Sequence, residues 1–265
     1  MPALPPQAVP YTSRLQKGGA LLPEMRHLLM EWSDRPDVAE HIAETNRIGS
    51  PSRARLRDVV MRTFVPRFVR SRPANLWRSV AILERAGWPA SALVPIHYYA
   101  AAAAEPILWD FVTEVLAERF SRGHLDVTIA DATRFLTAAP AARFGGRRWT
   151  PTVTTKVARG LLAALRDFGL LSGTVKKRLA PLYLPTETFA FLSMVRFQLG
   201  VRASGLLHDE AWRLFLLTDL AVERFFAEAH QRRLLTYQAA GSLVSVAFPA
   251  ATLEEYASEL AEIAH

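Results

Sequence analysis

The chain contains no cysteine among its 265 residues. This absence excludes a disulfide framework, cysteine zinc sites and thiol nucleophiles, and it favours a cytoplasmic location. The seven histidines show no HExxH or related spacing that would place a metal on one helix. Gly18 and Gly19 precede an apolar helix, but the order around Lys17 does not match a phosphate loop. The sequence therefore predicts a protein that is not an enzyme and that uses no metal or cofactor.

A signal peptide and an uninterrupted membrane-spanning run are also lacking. The start, MPALPPQAVPYTSR, is rich in proline and has no charged, apolar leader, so we expect a flexible lead-in. Residues 93–112 have the length of a membrane span, but they include Glu105 and Asp110. This stretch is predicted to form buried helices, and no membrane partner is expected.

Basic residues outnumber acidic ones, 32 against 25, and 28 of the 32 are arginine. Arginine suits bidentate contacts with phosphate and guanine, although a GC-rich genome also favours it. Nine arginines lie within residues 47–78 with Asp58 as the only acid, a local charge of +8. This charge would attract a polyanion. The alternative is that these arginines pair with acids of other helices, such as Glu40, Glu44 and Glu84.

Apolar periodicity predicts a mainly α fold in which a helical N-terminal half precedes winged-helix-like units with short β-hairpins. Helices are expected at 21–33, 35–46, 51–71, 74–87, 90–103, 105–121 and 126–138, and a kink is expected at Pro66. Later helices are expected at 187–199, 208–217, 219–232 and 253–263, with strands at 234–238 and 243–248. The predicted domains are a helical domain (1–122), a winged-helix-like DNA-binding domain (123–185) and a C-terminal helical domain with a second hairpin (186–265).

Residues 149–178 carry the strongest functional pattern. Thr150 is a candidate N-cap before Pro151, and Gly169 can end the helix. One side of this helix is apolar and comprises Val153, Val157, Leu161, Leu165 and Phe168. The opposite side is basic and hydroxyl-rich and comprises Thr152, Thr155, Lys156, Arg159 and Arg166. Such a face suits a major groove, whereas the alternative is an ordinary amphipathic helix with a solvated charged face.

A basic hairpin is predicted immediately after this helix. Ser172 and Gly173 form its turn signal, and Lys176, Lys177 and Arg178 follow. The pattern is typical of the wing of a winged-helix domain. The second helix-and-hairpin unit, near the C-terminus, has no basic residue in its strands, so a packing or protein-docking role is expected there.

Several segments together resemble the BrxA family, the small accessory proteins of BREX phage-defence systems. The resemblance rests on the order and spacing of YTSRLQKGGALLPE, ETNRIGSPSRARLRDVVMRTFVPRF, ILWDFV, WTPTVTTKVARGLLAALRDFGLLSG and LLTYQAAGSLVSVAFP. It implies a mainly helical protein that binds DNA, has no known catalytic activity and works with other BREX proteins.

The sequence therefore predicts a non-enzymatic protein that binds double-stranded DNA, with single-stranded DNA as a further possible partner. The predicted DNA-binding residues are Arg53, Arg55, Arg62, Arg147, Arg148, Thr152, Thr155, Lys156, Arg159, Lys176, Lys177 and Arg178. Two alternatives stay open: a docking subunit of the defence complex that does not touch DNA, and an RNA-binding protein that uses its helical half.

Overall fold

The structure, a computed structural model, describes residues 9–47, 49–241 and 243–263. The fold is mainly α, as predicted. The first half contains α1 (Leu22–Glu31), α2 (Val38–Thr45), α3 (Arg53–Val59), α4 (Leu76–Arg85), α5 (Ala90–Ala104), α6 (Pro106–Asp110) and α7 (Ala117–Ser121).

Two of these helices continue as π-helical turns. Residues Val60–Val69 extend α3, and Phe111–Leu116 join α6 to α7. Pro66 lies inside the first π-helical segment, where its missing N–H and its ring prevent the regular hydrogen-bond pattern. The irregularity predicted at Pro66 therefore takes the form of widened turns in a helix that continues past it.

The N-terminal segment at residues 11–20, which we call the strap, lies against the helical body. It includes a short 3₁₀ helix, Arg14–Lys17, and buries Tyr11 and Leu15. The expectation of a flexible lead-in is wrong for Tyr11 onwards, because the Tyr11 hydroxyl donates a hydrogen bond of 2.7 Å to Asp110. Residues 1–8, the rest of that predicted lead-in, lie outside the described residues.

The middle of the chain forms β1 (Asp126–Val127), α8 (Ile129–Ala138), a 3₁₀ helix (Ala141–Phe144), α9 (Pro151–Asp167), β2 (Leu171–Ser172) and β3 (Lys177–Leu179). The three strands form one antiparallel sheet in the order β1-β3-β2. The sequence predicted a helix from residue 126, but α8 begins at residue 129. Thr128 is its N-cap and forms a reciprocal capping box with Asp131, which leaves the two preceding residues free to pair with β3.

The C-terminal part contains α10 (Thr186–Gln198), α11 (Ser204–Leu207), a 3₁₀ helix (Glu210–Phe215), α12 (Asp219–Gln231), β4 (Thr236–Ala240), β5 (Leu243–Ala247) and α13 (Leu253–Ile263). Strands β4 and β5 pair only with each other among the described residues. The predicted helix at 208–217 is instead a 3₁₀ helix that follows α11. Helix α13 packs against α4, which brings the end of the chain onto its first half.

Buried apolar side chains form one core that runs from Tyr11 in the strap to Leu260 in α13. Its largest fully buried members include Tyr98, Phe111 and Phe189, from the first half and from α10. The apolar stretch at 93–112 contributes to this core through α5 and α6, as predicted. Within the described part of the chain, no helix has the length and apolar character needed to cross a membrane.

Candidate nucleic-acid interface

Helix α9 has the ends that its sequence predicts. The Thr150 hydroxyl accepts a hydrogen bond of 3.4 Å from the backbone N–H of Val153, and Pro151 occupies the first helical position. Gly169 follows the C-cap with a φ of +88°, a conformation that favours glycine. The predicted apolar side is directed inward: Val153 is half-buried, and Val157, Leu161, Leu165 and Phe168 are buried.

The opposite side of α9 begins with an exposed polar surface. Thr152, Lys156 and Arg159 are exposed, whereas Thr155 is half-buried and its hydroxyl donates to the carbonyl of Pro151 at 3.0 Å. Among the described residues, Lys156 and Arg159 have no ion-pair partner. Their charges are therefore available to an external anion.

The strap limits this surface. A Cβ atom on Gly160 would lie less than 3.0 Å from the backbone carbonyl of Leu15, so the strap backbone crosses α9 at that glycine. About two turns further along α9, Asp167 accepts a hydrogen bond of 3.4 Å from the N–H of Ala20. The exposed basic residues of α9 that have no ion-pair partner within the described chain therefore lie before Gly160, since Arg166, which is also exposed, pairs with Asp167.

Two predicted arginines precede α9 and differ in their surroundings. The guanidinium of Arg148 donates to the carbonyls of Thr137 and Ala139, at 2.7 and 2.8 Å, and so binds the C-terminal end of α8. Arg147 is exposed and has no ion-pair partner among the residues that the structure describes. Arg147 is therefore the better placed of the two to contact a phosphate.

The predicted hairpin after α9 forms through strands β2 and β3. Gly173 has a φ of +85° in its turn, and Val175 is 92% exposed near the tip. Lys176 and Arg178 are exposed, whereas the Lys177 ammonium donates to the carbonyl of Thr174 at 2.6 Å. Residues 147–178 contain eight basic residues and one acid, Asp167, which pairs with Arg166 at 2.9 Å.

The arginine-rich region of α3 is more neutralised than its composition indicates. Asp58 pairs with Arg62 at 3.0 Å and with Arg55 at 3.7 Å, while Arg53 is exposed. Further along, Arg67 is buried. The outer members of the cluster also have acidic partners, in the pairs Arg47 with Glu31 and Arg78 with Asp34.

The expectation that acids of other helices neutralise part of this cluster is thus met, but not by the acids named from the sequence. Glu84 instead binds Arg26 at 3.0 Å and His97 at 3.0 Å. Glu40 and Glu44 line a shallow pocket together with Arg53 and Arg57 but lie beyond ion-pair distance of them.

The residues that hold the strap beside this surface include Arg143, which its sequence context suggested as a DNA contact like Arg147 and Arg148. Arg143 forms an ion pair with Asp110 and lies over the Tyr11 ring, 4.5 Å from its centroid. Burial raises the pKa of Tyr11, which further favours the protonated hydroxyl that donates to Asp110. The contacts of Tyr11 join it to residues about a hundred positions or more further along the chain, and no local pattern reveals them.

In the ranges that the structure describes, no group of three or more histidine, cysteine or acidic residues could hold a metal ion. The candidate interface comprises the exposed basic side chains of α9, the preceding loop and the hairpin.

The fold occurs in a solved structure, the crystal structure of an uncharacterized protein from Magnetospirillum magneticum. The two chains superpose with a TM-score of 0.57 at 18% identity, over 78% of this chain and 99% of the other. The comparison with curated proteins gives no match. A model of the BrxA family matches residues 9–195, which is more than half of the chain. The chain therefore belongs to the BrxA family and is a protein associated with BREX phage defence.

Proposed function

We propose that this protein is a non-enzymatic accessory protein of a BREX-type defence system that binds duplex DNA through α9. The observation that carries the proposal is the exposed basic surface of Thr152, Lys156 and Arg159, which has no acidic partner among the described residues. Lysine and arginine at these positions can contact phosphates or guanine edges in a major groove.

The arrangement of the neighbouring elements supports a winged-helix domain. The order β1, α8, α9, β2, β3 and the sheet order β1-β3-β2 are those of a helix-turn-helix unit followed by a wing. In such domains the second helix of the pair enters the major groove and uses its N-terminal residues. We assign α9 to that position, because its basic residues without an ion-pair partner among the described residues, Lys156 and Arg159, lie in its N-terminal part.

The remaining predicted contacts are proposed to hold the DNA backbone. Arg147 before α9 and Lys176 and Arg178 in the hairpin are exposed and suit phosphate contacts. Arg148 and Lys177 have structural hydrogen bonds within the protein, so we assign them a smaller share of the binding. Of the three predicted contacts in α3 and its π-helical extension, Arg53 is the most available, because Arg55 and Arg62 share Asp58.

The test is the double variant Lys156→Ala, Arg159→Ala, measured by fluorescence anisotropy with a labelled duplex over a range of salt concentrations. The wild-type affinity should fall steeply with salt. Because each lost phosphate contact removes about 0.9 from the slope of log K against log salt, two lost contacts should lower the slope by about 1.8.

A matched control removes the same charge elsewhere. Arg213 and Arg224 are exposed in the C-terminal part, and the variant Arg213→Ala, Arg224→Ala should retain the wild-type slope. Circular dichroism establishes that both variants are folded. If the α9 variant binds duplex as the wild type does, α9 is not the DNA-binding helix.

One observation favours docking as the second candidate function. The β4–β5 ribbon pairs with no other described strand, and Leu243 in it is 76% exposed. A protein partner could cover this ribbon. Size-exclusion chromatography with purified BREX proteins separates the two functions: stable complexes combined with no duplex binding at moderate salt would favour docking.

RNA binding, the other alternative, is tested in the same anisotropy assay by competition between RNA and DNA duplexes, whose grooves differ in geometry. An RNA duplex that displaces the labelled DNA more effectively than unlabelled DNA does would favour RNA binding.

A further inference from the structure

A small, partly enclosed cavity lies between the strap and the helix formed by α3 and its π-helical extension. Its volume is about 60 Å³. One water needs on the order of 10–15 Å³ of such volume, so a group of several heavy atoms fits. The charged residues in its wall are Arg14, Arg55, Asp58, Arg62, Arg67 and Glu105. Four guanidinium groups thus face two carboxylates.

Arg67 is the most unusual member of this wall. It is 3% exposed, and its Nη1 donates to the carbonyl of Ala20 at 2.7 Å. Its Nε is buried without a hydrogen-bond partner, and no carboxylate of the described residues forms an ion pair with it. Burial lowers the pKa of Arg67 to about 10, which still leaves it charged at neutral pH.

The nearest acidic group in the cavity is already occupied. The Glu105 carboxylate accepts from the Thr12 hydroxyl at 2.6 Å and pairs with Arg14 at 3.4 Å. Asp58 is engaged by Arg55 and Arg62. Glu105 is near enough to interact electrostatically with the Arg67 cation, but it forms no ion pair with it and is shared with Thr12 and Arg14. The buried charge of Arg67 is therefore only partly compensated within the protein, which is unfavourable unless a further counter-charge binds.

We propose that this cavity binds one phosphate-type oxyanion. The buried Arg67 holds the anion on the inner side of the cavity, and the more exposed Arg14 and Arg62 hold it on the solvent side. A tetrahedral oxyanion supplies acceptors for several guanidinium N–H groups at once, including the unpartnered Nε–H of Arg67. Because Arg14 belongs to the strap and Arg67 to the π-helical segment, the bound anion also ties the strap to the helical body. This proposal does not rest on the DNA-binding role proposed for α9.

The first experiment measures the melting temperature of the full chain in inorganic phosphate and in sodium chloride at equal ionic strength. Phosphate should raise the melting temperature above its value in chloride, because a ligand that binds only the folded state stabilises it. Titration calorimetry then gives the phosphate dissociation constant. The absence of a phosphate-specific shift in the wild-type protein overturns the proposal.

Three variants locate the site. Arg67→Met should weaken phosphate binding at least tenfold, whereas Arg57→Met should leave it unchanged. Arg57 is an exposed arginine of the same helix and does not line the cavity. Asp58→Asn should tighten binding several-fold, because it removes a negative charge from the cavity wall and breaks the ion pair that holds Arg62. This third variant decides the question if Arg67→Met does not fold: weaker or unchanged phosphate binding in Asp58→Asn overturns the proposal.

The phosphate could be a free ion or a phosphate of the DNA backbone. If the cavity takes a backbone phosphate, Arg67→Met weakens duplex binding and inorganic phosphate competes with duplex. If it takes a free ion, duplex affinity in Arg67→Met equals that of the wild type while the phosphate-dependent shift is lost. The two proposals fail in different measurements. The Lys156→Ala, Arg159→Ala variant tests α9 through duplex binding, and it should keep the phosphate-dependent rise in melting temperature whether or not α9 binds DNA.

Discussion

At the scale of single residues, Gly160 decides how the strap meets α9. A glycine within a helix normally destabilises it relative to alanine by about 0.5–1 kcal/mol. Here the absence of a side chain permits the backbone of Leu15 to approach the helix directly. The hydrophobic pattern of α9 predicts the helix but gives no reason for this glycine. The reason lies in a segment more than 140 residues earlier in the chain.

We predict that Gly160→Ala destabilises the protein by about 1–3 kcal/mol, because the added methyl group forces the strap away from α9. Urea unfolding followed by circular dichroism measures the change. Gly205→Ala is the matched control, since the nearest atom to its added Cβ, a methyl carbon of Val201, is 3.4 Å away. A Gly160→Ala variant as stable as wild type would show that the strap is not held in this position.

Arginines show the same dependence on distant partners. The sequence placed Arg148 and Arg147 together as candidate DNA contacts. The structure ties Arg148 to the carbonyls of Thr137 and Ala139 and leaves Arg147 exposed. Their chemistry is identical, so only the position of the α8 end relative to each side chain distinguishes them.

At the scale of elements, helix caps and turn glycines, which act over a few residues, predicted the ends of helices and hairpins best. The Thr150 cap, Pro151 and Gly169 predicted both ends of α9, because caps and left-handed glycines act within one turn. The hairpin after it formed for the same reason, with Gly173 in the turn. Strand β1 was missed because two residues carry no periodicity, and its pairing with β3 joins Asp126 to Arg178.

The hairpin supports a prediction that is separate from α9. The variant Lys176→Gln, Arg178→Gln should weaken duplex binding to a similar extent for different DNA sequences, because phosphate contacts carry no base information. Anisotropy titrations with several unrelated duplexes measure this. Lys177→Gln is the comparison and should have a smaller effect, since its ammonium is bound to Thr174. A loss confined to one DNA sequence would instead indicate base contacts by the hairpin.

At the scale of the whole molecule, bonds cross the predicted boundaries at 122/123 and 185/186. The Tyr11 N–H donates to the carbonyl of Arg143 at 2.6 Å. The buried Thr188 hydroxyl donates to Ala92 at 2.9 Å, and the buried Tyr98 hydroxyl to Leu214 at 3.1 Å. The three-domain division stays a prediction, and the apolar core is continuous across it.

We therefore predict that the chain unfolds in one cooperative transition, because no segment can unfold without exposing core that the others cover. Scanning calorimetry measures this through the ratio of calorimetric to van't Hoff enthalpy, which should be close to one. Tyrosine or tryptophan fluorescence and circular dichroism should report the same midpoint. Two resolved transitions would instead favour the predicted domains as independent folding units.

The amino-acid sequence by itself determined the mainly α fold, the ends and apolar face of α9, the basic hairpin and the family resemblance. These follow from periodicity, caps, turn residues and segment order, which act along the chain. Tertiary structure alone decided that the strap covers α9 at Gly160, that Asp58 is shared by Arg55 and Arg62, and that Arg67 is buried beside a cavity. Burial and ion pairing depend on which distant residues meet, and no local pattern contains that information.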